Sequence, residues 1–191
     1  MRAKELLGSC GHLGIDKDRC LTLDRPGLQD NPKLWWKEKD VLDVVKEYVK
    51  KWDIDVILTF DEGGSSGHIN HRAVSAAISH YAATDPSAPT TYLLGTPSLW
   101  RKYTVMGDLP LTSLRFLWRI LGGLFTSVRS TDDRWGDKAL VASSWGRYLR
   151  TRWAFASHGS QYSWDRVLYL VLARVIWFND LVRVERVVAG S

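Results

Sequence analysis

Cysteine is scarce in this chain, with two residues, Cys10 and Cys20, among 191. Two thiols cannot build the disulfide framework of a small secreted scaffold, so they read as ordinary buried free thiols in a reducing compartment. Proline is sparing too, 6 residues beside 15 glycines, which excludes collagen-like and low-complexity chains. Residues 1–15 hold no apolar run of the length that a signal peptide or a membrane span requires. No internal repeat is present. Nothing in the chain has the pattern of a nucleic-acid recognition element, so net charge is the only argument for that partner, and none is expected.

What the sequence does contain is the composition of a folded protein, 45% hydrophobic and 25% charged, at a length suited to one domain over residues 1–191 with a real core. The formal charge of +5 and a pI near 9.3 favour acidic partners such as anionic lipid head groups. Ten tryptophans sharpen that reading. They gather with arginines in the C-terminal half, a combination favoured at membrane interfaces. No signal of oligomeric state is legible.

Periodicity predicts a helix over Ala3–Leu13 ended by Gly14, a short strand over Arg19–Leu23, and a turn at Asp24–Gly27. Gln29–Pro32 reads as a polar loop. In Leu34–Trp52 the apolar Val41, Val45, Tyr48, Val49 and Trp52 recur at helical spacing. Asp55–Phe60 is a continuous apolar strand of the kind buried on both faces of a parallel sheet. A helix over Ile69–Ala83, a strand over Thr90–Leu94 and a strand over Ala139–Ala142 follow. Further helices are expected over Trp145–Ser157 and Trp164–Phe178, and an edge strand over Leu181–Glu185. Leu109–Val128 is apolar except for Arg115 and Arg119, the pattern of an interfacial amphipathic helix, with a core helix or a mobile loop as the alternatives. Helices and strands in alternation imply an α/β fold, Rossmann-like, with a mostly parallel sheet, flanking helices and a helical C-terminal part. Ligands of such sheets bind beyond the carboxyl ends of the strands.

The stretch Thr59-Phe60-Asp61-Glu62-Gly63-Gly64-Ser65-Ser66-Gly67-His68-Ile69-Asn70-His71 lies at such an end. It joins a strand to a helix through a glycine-rich turn, and His68 and His71, three apart at the helix start, project to one side. The spacing suits a divalent metal, one imidazole a ligand and the other beside the metal-bound species. It equally suits two surface or helix-capping histidines, and spacing alone leaves both open.

The full string, with Thr59-Phe60-Asp61, Gly63-Gly64, Ser66-Gly67-His68 and Asn70-His71, resembles the signature of the N-acetylglucosaminylphosphatidylinositol de-N-acetylase family, the LmbE-like zinc deacetylases. Lys4-Glu5-Leu6-Leu7 with Ser9-Cys10 and Leu13-Gly14-Ile15 is similar to the family's first helix. Arg101-Lys102-Tyr103 is similar to a later segment, and His158 with Ser160-Gln161 to a family His-x-Ser-Gln. The resemblance implies a zinc-dependent amide hydrolase of glycosylphosphatidylinositol-anchor synthesis. It would remove acetate from N-acetylglucosaminyl phosphatidylinositol (GlcNAc-PI) at the cytoplasmic face of the endoplasmic reticulum membrane. By family role, His71 would be a zinc ligand and His68 the catalytic group that stabilises the oxyanion or protonates the leaving amine. Asp61, Gly67, Asn70, Arg101 and His158 would lie on the substrate side, Asn70 orienting an imidazole and Asp61 shaping the turn.

The family's opening strand, ending in His-Pro-Asp-Asp-Glu and carrying two more metal ligands, has no counterpart among the 191 residues. Asp132-Asp133 lack the preceding His-Pro. The expectation is therefore an LmbE-like domain over 1–191 without its first strand, and a zinc site incomplete in this chain. The alternative is a non-catalytic, membrane-associated interaction protein derived from the same family.

Overall fold

The computed structural model describes residues 2–104, 107, 110, 114, 137–161 and 163–187. The chain divides into two compact units, one of residues 1–23, 98–131 and 141–179, the other of 24–97, 132–140 and 180–191.

In the first unit, α1 (Arg2–Leu13) packs against α5 (Trp145–Ala156), whose Ser144 cap accepts the Arg147 N–H. The expected free thiols are a disulfide: Cys10 and Cys20 are bonded, their Cα atoms 6.3 Å apart. The cause is local. α1 ends at Leu13, the chain reverses, and a 3-10 turn at Lys17–Arg19 returns Cys20 to the helix. With the thiols paired, cysteine count no longer argues for a reducing compartment. The strand expected over 19–23 does not form, because Cys20–Leu23 meets no ladder partner among the described residues. α4 (Leu99–Lys102) is one turn. The helix expected over 164–178 breaks at Ala173, which is extended at ψ 123°. It becomes α6 (Trp164–Leu172) and α7 (Arg174–Trp177). Burial overrides helix propensity here, since Leu170, Ala173, Arg174 and Phe178 are all at most 1% exposed. The Arg174 guanidinium lies 4.5 Å from the Phe178 ring centroid.

In the second unit, α2 (Glu38–Trp52) begins four residues later than its apolar spacing predicts. Leu34 N–H and Lys33 N–H both turn back to Asn31, and the Trp36 indole donates to the Gln29 carbonyl, so 31–36 form a loop. β1 (Val56–Phe60) runs parallel to β2 (Thr90–Leu94), with Val56 opposite Thr90 and Phe60 opposite Leu94. α3 (Ile69–Thr84) covers them with a close-packing face of Ala73, Ala77, Ile78 and Tyr81.

Among the described residues the sheet has four strands in the order β1-β2-β4-β3, where β3 is Lys138–Ala142 and β4 is Phe178–Arg183. β4 is antiparallel to β2, so the sheet is mixed and the fold a mixed α/β one. Two expectations are corrected. The C-terminal strand is interior, because Gly95 N–H bonds to Asp180 O on one side and Arg183 N–H to Asp137 O on the other. β1 is not buried on both faces: Val56 and Leu58, two apart and so on one face, are 55% and 60% exposed. The helix expected over 109–128, with Arg115 and Arg119, lies outside the described residues apart from two isolated positions. Among the described residues no helix is long and apolar enough to cross a membrane.

Candidate functional site

The site of the second unit grows from the carboxyl end of β1. There Asp61 N–H bonds to Leu94 O and completes the parallel ladder, while the side chain bends the chain away from the sheet. The Asp61 carboxylate accepts from Gly63 N–H, from Thr96 N–H and from the Thr96 hydroxyl. It thereby ties the turn after β1 to the segment after β2. Ser65 N–H then donates to Thr96 Oγ1 at 3.0 Å. The expected turn-shaping role of Asp61 is thus visible, and its partner Thr96 is a residue that the sequence did not single out.

Gly64 must be glycine. Its φ is +59°, and a Cβ would stand 3.1 Å from Arg72 N and 3.1 Å from His71 Cβ. That close approach lets Gly64 O meet His71 Nδ1 at 3.1 Å. A carbonyl can only accept, so the neutral His71 ring carries its proton on Nδ1 and presents Nε2 as a bare lone pair. Phe60 stacks on the ring at 4.3 Å and fixes its plane.

His68 is held in the opposite tautomer. It is the N-cap of α3, and its Nδ1 accepts the Asn70 N–H at 3.3 Å. The neutral ring therefore carries its proton on Nε2, which lies 3.6 Å from Asp30 Oδ1. The two rings are tilted neighbours with centroids 5.1 Å apart. Asn70 is buried beneath them and ties α3 to the 30–34 loop. Its amide reaches Asp30 Oδ1 at 3.3 Å or, with O and N exchanged, donates to Leu34 O and Asn31 O at 3.1 and 3.3 Å. Gly67, at φ +79° and with open space where a Cβ would be, leaves the approach to His68 clear. Asp30 is the site residue that sequence reasoning missed. Its only signal was a polar loop, Gln29–Pro32.

A metal requires a fuller donor set than this. His71 is oriented as a ligand, yet among the described residues no group of three or more His, Cys, Asp or Glu is placed to hold a metal ion. The described residues therefore do not by themselves fit a catalytic zinc, which takes about three protein ligands.

Arg101 and His158 belong to the first unit. Arg101 is half-buried on α4. His158 follows α5, its N–H donating to Phe155 O at 3.1 Å, and opens the turn Gly159–Gln161. That turn is held from α1, where the Glu5 carboxylate accepts from both Ser160 N–H and Ser160 Oγ at 2.8 Å. These bonds, chiefly the one from the backbone N–H, draw the Glu5 carboxyl below its ordinary range.

Comparison with known proteins adds a second line. The family model described as PIG-L: GlcNAc-PI de-N-acetylase matches residues 1–82. An N-acetylglucosaminyl-phosphatidylinositol de-N-acetylase of Bos taurus is 30% identical over 183 residues, covering 95% of this chain and 64% of the bovine protein. Proteins named as probable enzymes of the same kind are 24% identical in Dictyostelium discoideum, over 97% of this chain and 76% of that protein, and 26% identical in Schizosaccharomyces pombe, over 96% and 68%. This chain thus spans less than two thirds of the bovine relative's length.

Proposed function

We propose that the chain is a member of the GlcNAc-PI de-N-acetylase family and serves the hydrolysis of the acetamide of GlcNAc-PI in glycosylphosphatidylinositol-anchor synthesis, a reading supported by the family match and the similar relatives. The observation that carries the reading is the pair of opposed tautomers. One imidazole offers a lone pair and its neighbour an N–H, which is the division of labour that amide hydrolysis at an electrophilic centre needs.

In this reading His68 Nε2–H faces the carbonyl oxygen of the acetamide and stabilises the negative charge that develops on it. Its cap bond to Asn70 N–H keeps the donor aimed without reorganisation. Gly67, Asn70, Arg101 and His158 are assigned to the substrate by family role alone, and Asp61 holds the turn that aims the imidazoles. By family role His71 would be one ligand of a divalent metal, zinc, which would supply Lewis-acid chemistry if bound there. The mixed sheet is read as Rossmann-like, a reading supported by its parallel β1–β2 pair with a covering helix and a candidate site beyond the carboxyl end of β1. A phosphatidylinositol substrate places the reaction at a membrane surface, that of the endoplasmic reticulum by family role.

The test is release of acetate and a free amine from GlcNAc-PI by the purified chain with added zinc. Release that disappears in His71→Ala and drops by about 100-fold in His68→Ala supports the reading. A folded chain that releases none overturns catalysis by this chain and leaves the non-catalytic, membrane-associated alternative.

A further inference from the structure

Among the described residues of the first unit, a helix face is left uncovered. In α6, Trp164, Leu168, Val171 and Leu172 recur at i, i+4, i+7 and i+8, the spacing of a single stripe, and they are 77%, 49%, 45% and 40% exposed. Leu170, on the other side of the same helix, is fully buried at 0% exposure. The apolar stripe is therefore not the core-facing one. α4 adds Trp100, 87% exposed, followed by Tyr103 at 48%.

The stripe borders a cleft of about 310 Å³ whose charged lining is Lys102, Arg166 and Asp165. Asp165 accepts the Ser163 hydroxyl and faces Arg166 Nε at 3.8 Å, so its charge is already engaged. Lys102 Nζ lies 6.0 and 5.9 Å from the ring centroids of Tyr103 and Tyr169. The cleft keeps a net positive charge between two aromatic walls.

We propose that this face of the first unit, the α6 stripe with the Lys102–Arg166 cleft at its border, docks onto an anionic lipid surface. Tryptophan and tyrosine prefer the head-group level of a bilayer, the apolar stripe enters the acyl boundary, and the two cations meet phosphate. Charge complementarity decides against a second copy as the occupant, because a two-fold contact would set the same positive cleft against itself. The inference rests on the reading above only in taking phosphatidylinositol as the anionic lipid.

Flotation with vesicles of phosphatidylcholine alone, and of equal parts phosphatidylcholine and phosphatidylinositol, tests it. The chain should float with the mixed vesicles and bind phosphatidylcholine much more weakly. Lys102→Glu and Arg166→Glu should each weaken binding to the mixed vesicles about fivefold or more, and Leu168→Glu at least about tenfold. Circular dichroism of each variant confirms that it is folded. Equal flotation of wild type and Leu168→Glu overturns the proposal, as does no flotation of the wild type. A dimer in light scattering that Leu168→Glu dissolves assigns the face to self-association instead, and also overturns it. A chain that floats as expected yet releases no acetate fails the chemical reading and leaves this one standing.

Discussion

The glycine-rich turn at 61–71 in the second unit and the turn at 158–161 in the first are held in place by different means. The first is fixed by its own backbone and by one neighbour. A positive-φ glycine touches the helix that follows, and a half-buried aspartate accepts three bonds across to the next strand's exit. The second is held across 155 residues of chain by a single exposed carboxylate. Geometry written into a backbone survives changes of solvent, whereas geometry hung on one ion pair or hydrogen bond follows that group's protonation. The imidazoles of His68 and His71 are therefore pre-aimed, while His158 and its turn are adjustable.

The sharpest way to break the comparison is Gly64→Ala. A non-glycine residue at φ +59° costs about 1–2 kcal/mol. The new Cβ also meets Arg72 N at 3.1 Å, where backbone cannot yield, and such overpacking adds about 1–3 kcal/mol. Urea unfolding should show a loss of about 2–5 kcal/mol in all. Gly67→Ala, at φ +79° but with open space around the Cβ, should lose only about 1–2 kcal/mol. Equal losses at the two positions would show that the contact between Gly64 and His71 does not govern the turn.

A smaller effect separates the units. Cys10 and Cys20 close a short loop, and its opening by a reductant should cost the first unit about 2–3 kcal/mol. If the His158 turn depends on α1 as its Glu5 contact implies, Ser160 amide exchange should quicken on reduction while the His71 ring resonances stay put. A reduced protein in which both respond alike would remove the distinction between the turns.

The same contrast explains what was legible in the sequence. The 61–71 turn could be read because the features that announce it lie within a few residues: an apolar strand, two glycines, a capping histidine and an alanine-rich helix. β2 and α3 were bounded correctly for the same reason. Contacts between distant residues left no local trace. Asp30 reaches His68 from a loop that looked merely polar, and Thr96 answers Asp61 from 35 residues away. Cys10 and Cys20 pair because a reversal at 14–19 brings them together, which cysteine count alone cannot show. The 19–23 segment reads as a short strand and β1 as a strand buried on both faces, but pairing and burial depend on neighbours that the described residues do not supply. The break at Ala173 follows from burial of Leu170 and Phe178, a tertiary effect that overrode a continuous helical pattern.

The smallest expected effect tests the adjustable turn directly. Ser160 N–H and Oγ hold Glu5 as a carboxylate and keep its pKa below the ordinary glutamate value. A depressed folded-state pKa means that the contact is intact above the unfolded carboxyl range and is lost as pH falls through the lower, folded value. The Ser160 amide resonance should therefore titrate below the ordinary glutamate range. In Glu5→Gln the bond from Ser160 N–H can persist through the amide oxygen, but the titration must vanish. Global stability should scarcely move, since the contact is exposed. Were the Ser160 amide to titrate unchanged in Glu5→Gln, the carboxylate would not be the clamp. His158 would then be placed by the end of α5 alone, which would make the second turn as locally determined as the first.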